Sequence, residues 1–114
     1  MNHNDDRNKE FKESDWKLFR KRIATWQENY MDRLNKEYIA ILSQDKSPSE
    51  KFWELNERMK KDKEKPGVLI ELKRSAMVLN ILMLLRDEAI EMDDLNDFSD
   101  RLKETIQEYQ RAWS

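Results

Sequence analysis

The chain has no cysteine, one glycine, two prolines and a single histidine in 114 residues. Without cysteine there can be no disulfide and no thiolate metal site. One glycine cannot build the Gly-rich loop that cradles phosphates. The only imidazole, His3, lies in a polar stretch without periodicity. No Ser–His or Cys–His pair can therefore be held on a rigid frame, and the Glu-x-x-His pairs of a di-iron bundle are missing. β-Branched residues are too few and too scattered for strands. The longest apolar run, Ala76–Leu85 (AMVLNILMLL), is about half of the ~20 residues that a membrane span needs. It contains Asn80 and is flanked by Lys73, Arg74, Arg86 and Asp87, so it reads as core. MNHNDDRNKE at the N-terminus has no apolar h-region, so no secretory signal is expected. A cytoplasmic setting without membrane insertion is the expectation.

What is present favours long helices. Charged residues make up 40% of the chain, mostly Glu, Lys and Arg, and so few breakers leave long helical stretches uninterrupted. The length suits one domain. Residues 1–13 read as a disordered tail and 14–114 as a single helical domain. The first helix is predicted from Ser14 or Asp15, either serving as N-cap, to about Leu42. Trp16, Phe19, Ile23, Trp26, Tyr30, Leu34, Tyr38 and Ile41 recur on one stripe at steps of three or four. Ser47-Pro48-Ser49-Glu50 carries a capping box and a first-turn proline. It opens a second helix with Phe52, Leu55 and Met59 inward and Trp53 about a quarter-turn away. Pro66-Gly67 breaks it. A buried third helix is predicted from about Val68 to Asp87, with Leu69, Leu72, Ala76, Leu79 and Met83 on one inward stripe, Val78, Ile81, Leu82 and Leu85 covering the adjoining side, and Lys73, Asn80 and Asp87 on the polar line. A fourth, capped by Asp93 or Asp94, carries Leu95, Phe98, Leu102, Ile106, Tyr109 and Trp113 on one face. The expected fold is all-α: a four-helix, mostly antiparallel bundle with a long first helix and a buried third.

Candidate chemistry is sparse. Carboxylate pairs such as Glu88 and Glu91 fall on faces expected to be wet, whereas acid–base work needs a cleft that shifts a pKa. Asp93, Asp94, Asn96 and Asp97 lack the glycine and the closing glutamate of a calcium loop. No catalytic residue, metal or cofactor is expected, and the chain reads as a non-enzyme. Two binding readings remain. Four Trp and three Tyr are many for a small bundle; most would fill the core, and surplus apolar surface marks an interface. Leu18, Ile39 and Trp53 point off the core stripes, and Met77 and Leu84 flank the polar line of the third helix. These five are the candidate contacts for another protein or a second copy. The alternative is a nucleic-acid-associated or regulatory protein, acting through Lys17, Arg20 and Lys21 beside Trp16, Phe19 and Trp26, and through Lys60, Lys61 and Lys63. Against it stand the placement of those aromatics on the core stripe and a net charge of −2. The charge is uneven: residues 1–75 hold 18 Lys/Arg against 15 Asp/Glu, and residues 76–114 hold 4 against 9. That pattern fits solvated helix faces; it also fits a basic partner for the acidic half, or contact between the two halves of different copies.

Ser14-Asp15-Trp16-Lys17-Leu18-Phe19-Arg20, Trp26-Gln27-Glu28-Asn29-Tyr30-Met31, Leu34-Asn35-Lys36-Glu37-Tyr38, Phe52-Trp53 and Asp94-Leu95-Asn96-Asp97-Phe98-Ser99 together resemble a family of small all-helical proteins of gut Firmicutes. The likeness covers nearly all of residues 14–107. Some members carry the label "multidrug transporter", although a transporter needs several apolar spans and this chain has none. The resemblance implies a helical fold and carries over no site, ligand or cofactor.

Overall fold

The computed structural model describes residues 12–113. The described residues form four α-helices, α1 (Glu13–Leu42), α2 (Pro48–Asp62), α3 (Met77–Arg86) and α4 (Asp100–Trp113), with short 3-10 turns at Arg74–Ala76 and Met92–Leu95 and no strand. The fold is all-α, as the breaker-poor composition predicts. The tail assigned to residues 1–13 lies outside the described residues up to position 11, and Glu13 already belongs to α1.

α1 has 30 residues, a length of about 45 Å, and it serves two different structures. Its first half gives Trp16, Phe19, Ile23 and Trp26 to the hydrophobic core. The core is completed by Met77, Ile81, Leu82 and Leu84 of α3, by Ile90, Leu95 and Phe98 of the connector, and by Leu102 and Ile106 of α4. Trp16, Phe19, Trp26 and Phe98 form a chain of ring contacts at 6.0–6.2 Å between centroids, the spacing that aromatic pairs favour. Its second half leaves this body and pairs with α2. Bonds join Glu37 to Arg58, Tyr38 to Asp62 and Gln44 to Glu54, so α2 lies beside this half of α1. The molecule measures 65 × 27 × 23 Å with a radius of gyration of 17.5 Å, against roughly 13 Å for a compact domain of ~100 residues. The hairpin accounts for the difference.

The start of α1 differs from prediction. Lys12 precedes it, with no side-chain cap. Asp15 is buried and turned across the fold, where its carboxylate accepts from Ser99 N (2.8 Å) and Ser99 Oγ (2.6 Å). Ser99 Oγ in turn accepts from Leu102 N at 3.2 Å. Ser99 thus caps α4, and the carboxylate of Asp15 sits where the helix dipole favours negative charge. Asp93 and Asp94 belong to the 3-10 turn before it, so α4 begins five residues later than Leu95. Leu95 and Phe98 still reach the core, but from the connector.

The third helix is shorter than predicted. Residues 68–73 are not helical, and α3 has only ten residues. Gly67 packs so closely on Tyr30 that a Cβ there would lie 2.4 Å from the ring. Gln27 Nε2 donates to Pro66 O at 2.9 Å. This junction pins the chain against α1, and the following segment spans to the body in an open conformation. Freed from that segment, α3 buries the adjoining side of Ile81 and Leu82 rather than the stripe of Leu79. Met77, Ile81 and Leu84 are buried at helical spacing, while Leu69, Leu72 and Leu79, assigned to the inward stripe, are exposed.

Candidate interaction surface

The capping box of α2 forms as its sequence predicts, with Ser47 Oγ accepting from Glu50 N and the Glu50 carboxylate accepting from Ser47 N. Its inward face does not. The only buried residue of α2 is Asp62. Phe52 and Trp53 are 62% and 61% exposed, Met59 is exposed, and Leu55 is half-buried. The two rings contact each other edge to face at 5.1 Å and, among the described residues, touch no other ring.

Polar bonds hold the helix instead. Arg58 pairs with Glu37, lies over the ring of Tyr38 (5.9 Å), and sets Nε 3.1 Å from Asp62 Oδ2. Tyr38 Oη donates to Asp62 Oδ2 at 2.6 Å, and Lys65 Nζ lies 3.3 Å from Oδ1. Nearer the loop, Lys46 and Gln44 hold Glu54. Burial by itself would raise the pKa of Asp62; the Tyr38 hydrogen bond, then Lys65 and Arg58, overcome it and hold the carboxyl below its ordinary value. Burial and the same carboxylate push the Tyr38 phenol up. Burial would lower Lys65, yet its bond to Asp62 raises it, and Arg58 is likewise raised, chiefly by Glu37. Each of these groups is driven further from titration near neutral pH. That is the signature of a structural ion-pair network.

A polar cleft of about 420 Å³ lies where hairpin meets body, among Arg33, Arg58, Lys65 and Asp87. Arg33 stacks over Tyr30 (4.9 Å) and donates to the carbonyls of Glu88 (2.7 Å) and Asp87 (3.2 Å) at the end of α3. Asp87 Oδ2 is buried without a hydrogen-bond partner among the described residues.

Of the five candidate contact residues, the structure leaves two free. Ile39 and Trp53 are exposed on the hairpin. Leu18 is half-buried and packs on the margin of the core. Met77 and Leu84 are corrections: they are 2% and 0% exposed, covered by this chain's own core. A polar line through Lys73, Asn80 and Asp87 needs a helix continuous through Lys73, whereas α3 begins at Met77. The nucleic-acid candidates Lys17, Arg20, Lys21, Lys60, Lys61 and Lys63 are all exposed. Trp16, Phe19 and Trp26, beside the first group, are buried and offer no stacking platform. Phe52, Leu42 and Met59 are exposed surface that sequence spacing assigned to the core or left unassigned. Among the described residues no cluster of His, Asp or Glu could hold a metal ion, and no helix is long and apolar enough to cross a membrane.

The fold and this surface define an all-α protein with a projecting, apolar-faced hairpin. No protein-family description, curated protein or solved structure matches the chain.

Proposed function

We propose that this chain is a non-enzymatic interaction module that docks a protein, another copy or a different chain, on the outer face of α2. One observation carries the reading. α2 has 15 residues and buries no apolar side chain in its own chain, yet presents Phe52, Trp53 and Met59 outward. A helix of ~15 residues without a packed face is marginal in water, and large aromatics stranded on a surface are the composition of an interface centre. The ion-pair network beneath α2 supports the same reading, since its groups are shifted away from the pKa range useful for acid–base catalysis. We take the setting to be the bacterial cytoplasm.

The test is affinity capture from host cells, comparing the wild-type chain with a Phe52→Glu/Trp53→Glu bait and identifying what is retained. Retention of a defined protein, or of the chain itself, by the wild type and its loss with the double variant is expected. Equal retention by both baits sinks the reading.

A further inference from the structure

We infer that the occupant of the α2 face is a second copy of the same chain, with α2 packed on α2 in opposite directions about a two-fold axis beside Asn56. The inference rests on the docking reading above and specifies its partner.

Three observations lead to it. First, Ser49, Phe52, Asn56, Met59 and Lys63 recur at alternating steps of three and four, the spacing of a helix–helix seam. Phe52 and Met59 lie on either side of Asn56, which is half-buried. Second, α2 is polarised in charge. Its first ten residues hold Glu50, Glu54 and Glu57 against Lys51, with Glu54 already bound by Lys46 and Gln44; Arg58, Lys60 and Lys61, and Lys63 just past its end, follow against Asp62. A two-fold axis that brings two such helices together in opposite directions sets each acidic end against the other's basic end. A parallel pairing would set lysines against lysines. The helix dipoles favour the same orientation. This surface is therefore complementary to itself, which an isologous contact requires. Third, the area suffices. Phe52 and Trp53 together expose roughly 250 Å² per copy. With Met59 and the lysine stems along the rim, two copies approach the ~1,000 Å² of a specific interface.

In this arrangement Phe52 lies toward the partner's Met59, a ring–thioether contact. The Asn56 side chains meet at the axis, where a polar pair fixes register. Trp53, a quarter-turn away, closes over the rim.

The absence of native cysteine makes the geometry directly testable. In Asn56→Cys the two α-carbons near the axis come within the ~4.4–6.8 Å that a disulfide spans. Mild oxidation is expected to yield a covalent dimer, twice the 14.0 kDa chain, whereas Lys36→Cys on α1 is expected to give none. Sedimentation of the wild-type chain at about 100 µM and low salt should show a dimer that weakens as salt rises. Trp53→Asp and Lys63→Glu should each raise the dissociation constant at least ~10-fold. Both positions are exposed, and unchanged helical circular dichroism will show that the fold persists. A dimer that ignores both substitutions and does not cross-link through position 56 overturns the α2 pairing while leaving self-association intact. A monomer whose Trp53 captures a different protein, or one that binds a single-stranded oligonucleotide through Lys60 and Lys63, overturns the second-copy assignment. A monomer with no Trp53-dependent capture overturns the docking reading as well.

Discussion

Two residues show how much a single position carries in this fold. Asp15 is 2% exposed and receives both hydrogen bonds that Ser99 offers. Asp15→Ala would leave a half-buried N–H and hydroxyl without their acceptor, at a cost of about 2 kcal/mol. The expected outcome is a lower urea midpoint with an unchanged slope, and Asp15→Asn should recover part of the loss because one acceptor oxygen remains. The spacing of residues 14 and 15 suggests a cap for α1, because short-range rules see only neighbours; the true partner is 84 positions away. Glu88 is the opposite case. It follows α3 at φ 59°, among the described residues the one non-glycine in the left-handed region. Ala89 N donates to Leu84 O and Glu88 N to Leu85 O, the paired bonds of a Schellman motif. Glycine is the usual occupant there, because a Cβ crowds the backbone. Glu88→Gly is expected to stabilise the protein by about 0.5–1 kcal/mol, read by chemical denaturation. The Arg33 bond, made to the backbone carbonyl, survives the change.

At the scale of elements, α2 depends on charge where the other helices depend on apolar burial. Asp62 titrates below its ordinary 3.8 when folded, so its contribution is complete above that value and falls away as pH drops through the lower, folded pKa. Tyr38 titrates above its ordinary 10.0, so its contribution holds below that value and is lost only at higher, strongly alkaline pH. The Tyr38–Asp62 tie is therefore flat between about pH 4 and 10 and weakens outside that range. Circular dichroism of wild type against Tyr38→Phe should show the difference between them shrinking in acid. These elements also show what a sequence reveals. α1 and the start of α2 were legible because a long, clean stripe and a capping box are local signals. α3 was misread because nearly every residue of Ala76–Leu85 is apolar, so several inward faces satisfy the pattern equally. The inward face of α2 was misread for a related reason. Periodicity reports that Phe52 and Met59 share a face, but not whether the same chain supplies something to cover it.

For the whole molecule, stability should be divided between body and hairpin. Local opening tracks the amount of buried apolar contact. α3 and α4 share the core with the first half of α1, whereas α2 has Asp62 as its only buried residue. Amide hydrogen exchange is expected to be fastest in α2 and the last turns of α1, and slowest around Phe19, Ile81 and Leu102. Dimerisation through α2 would slow exchange there as protein concentration rises and leave the body unchanged. The clasp between Asp15 and Ser99 has a further consequence, in time. Leu102 and Ile106, which close over the aromatics of α1, are made some 80 residues after Trp26. At ordinary synthesis rates that interval is on the order of 10 s. For that interval Trp16, Phe19 and Trp26 form an uncovered strip on a nascent helix. A ribosome stalled before Ser99 would hold a chain whose first helix is complete and whose core cannot close.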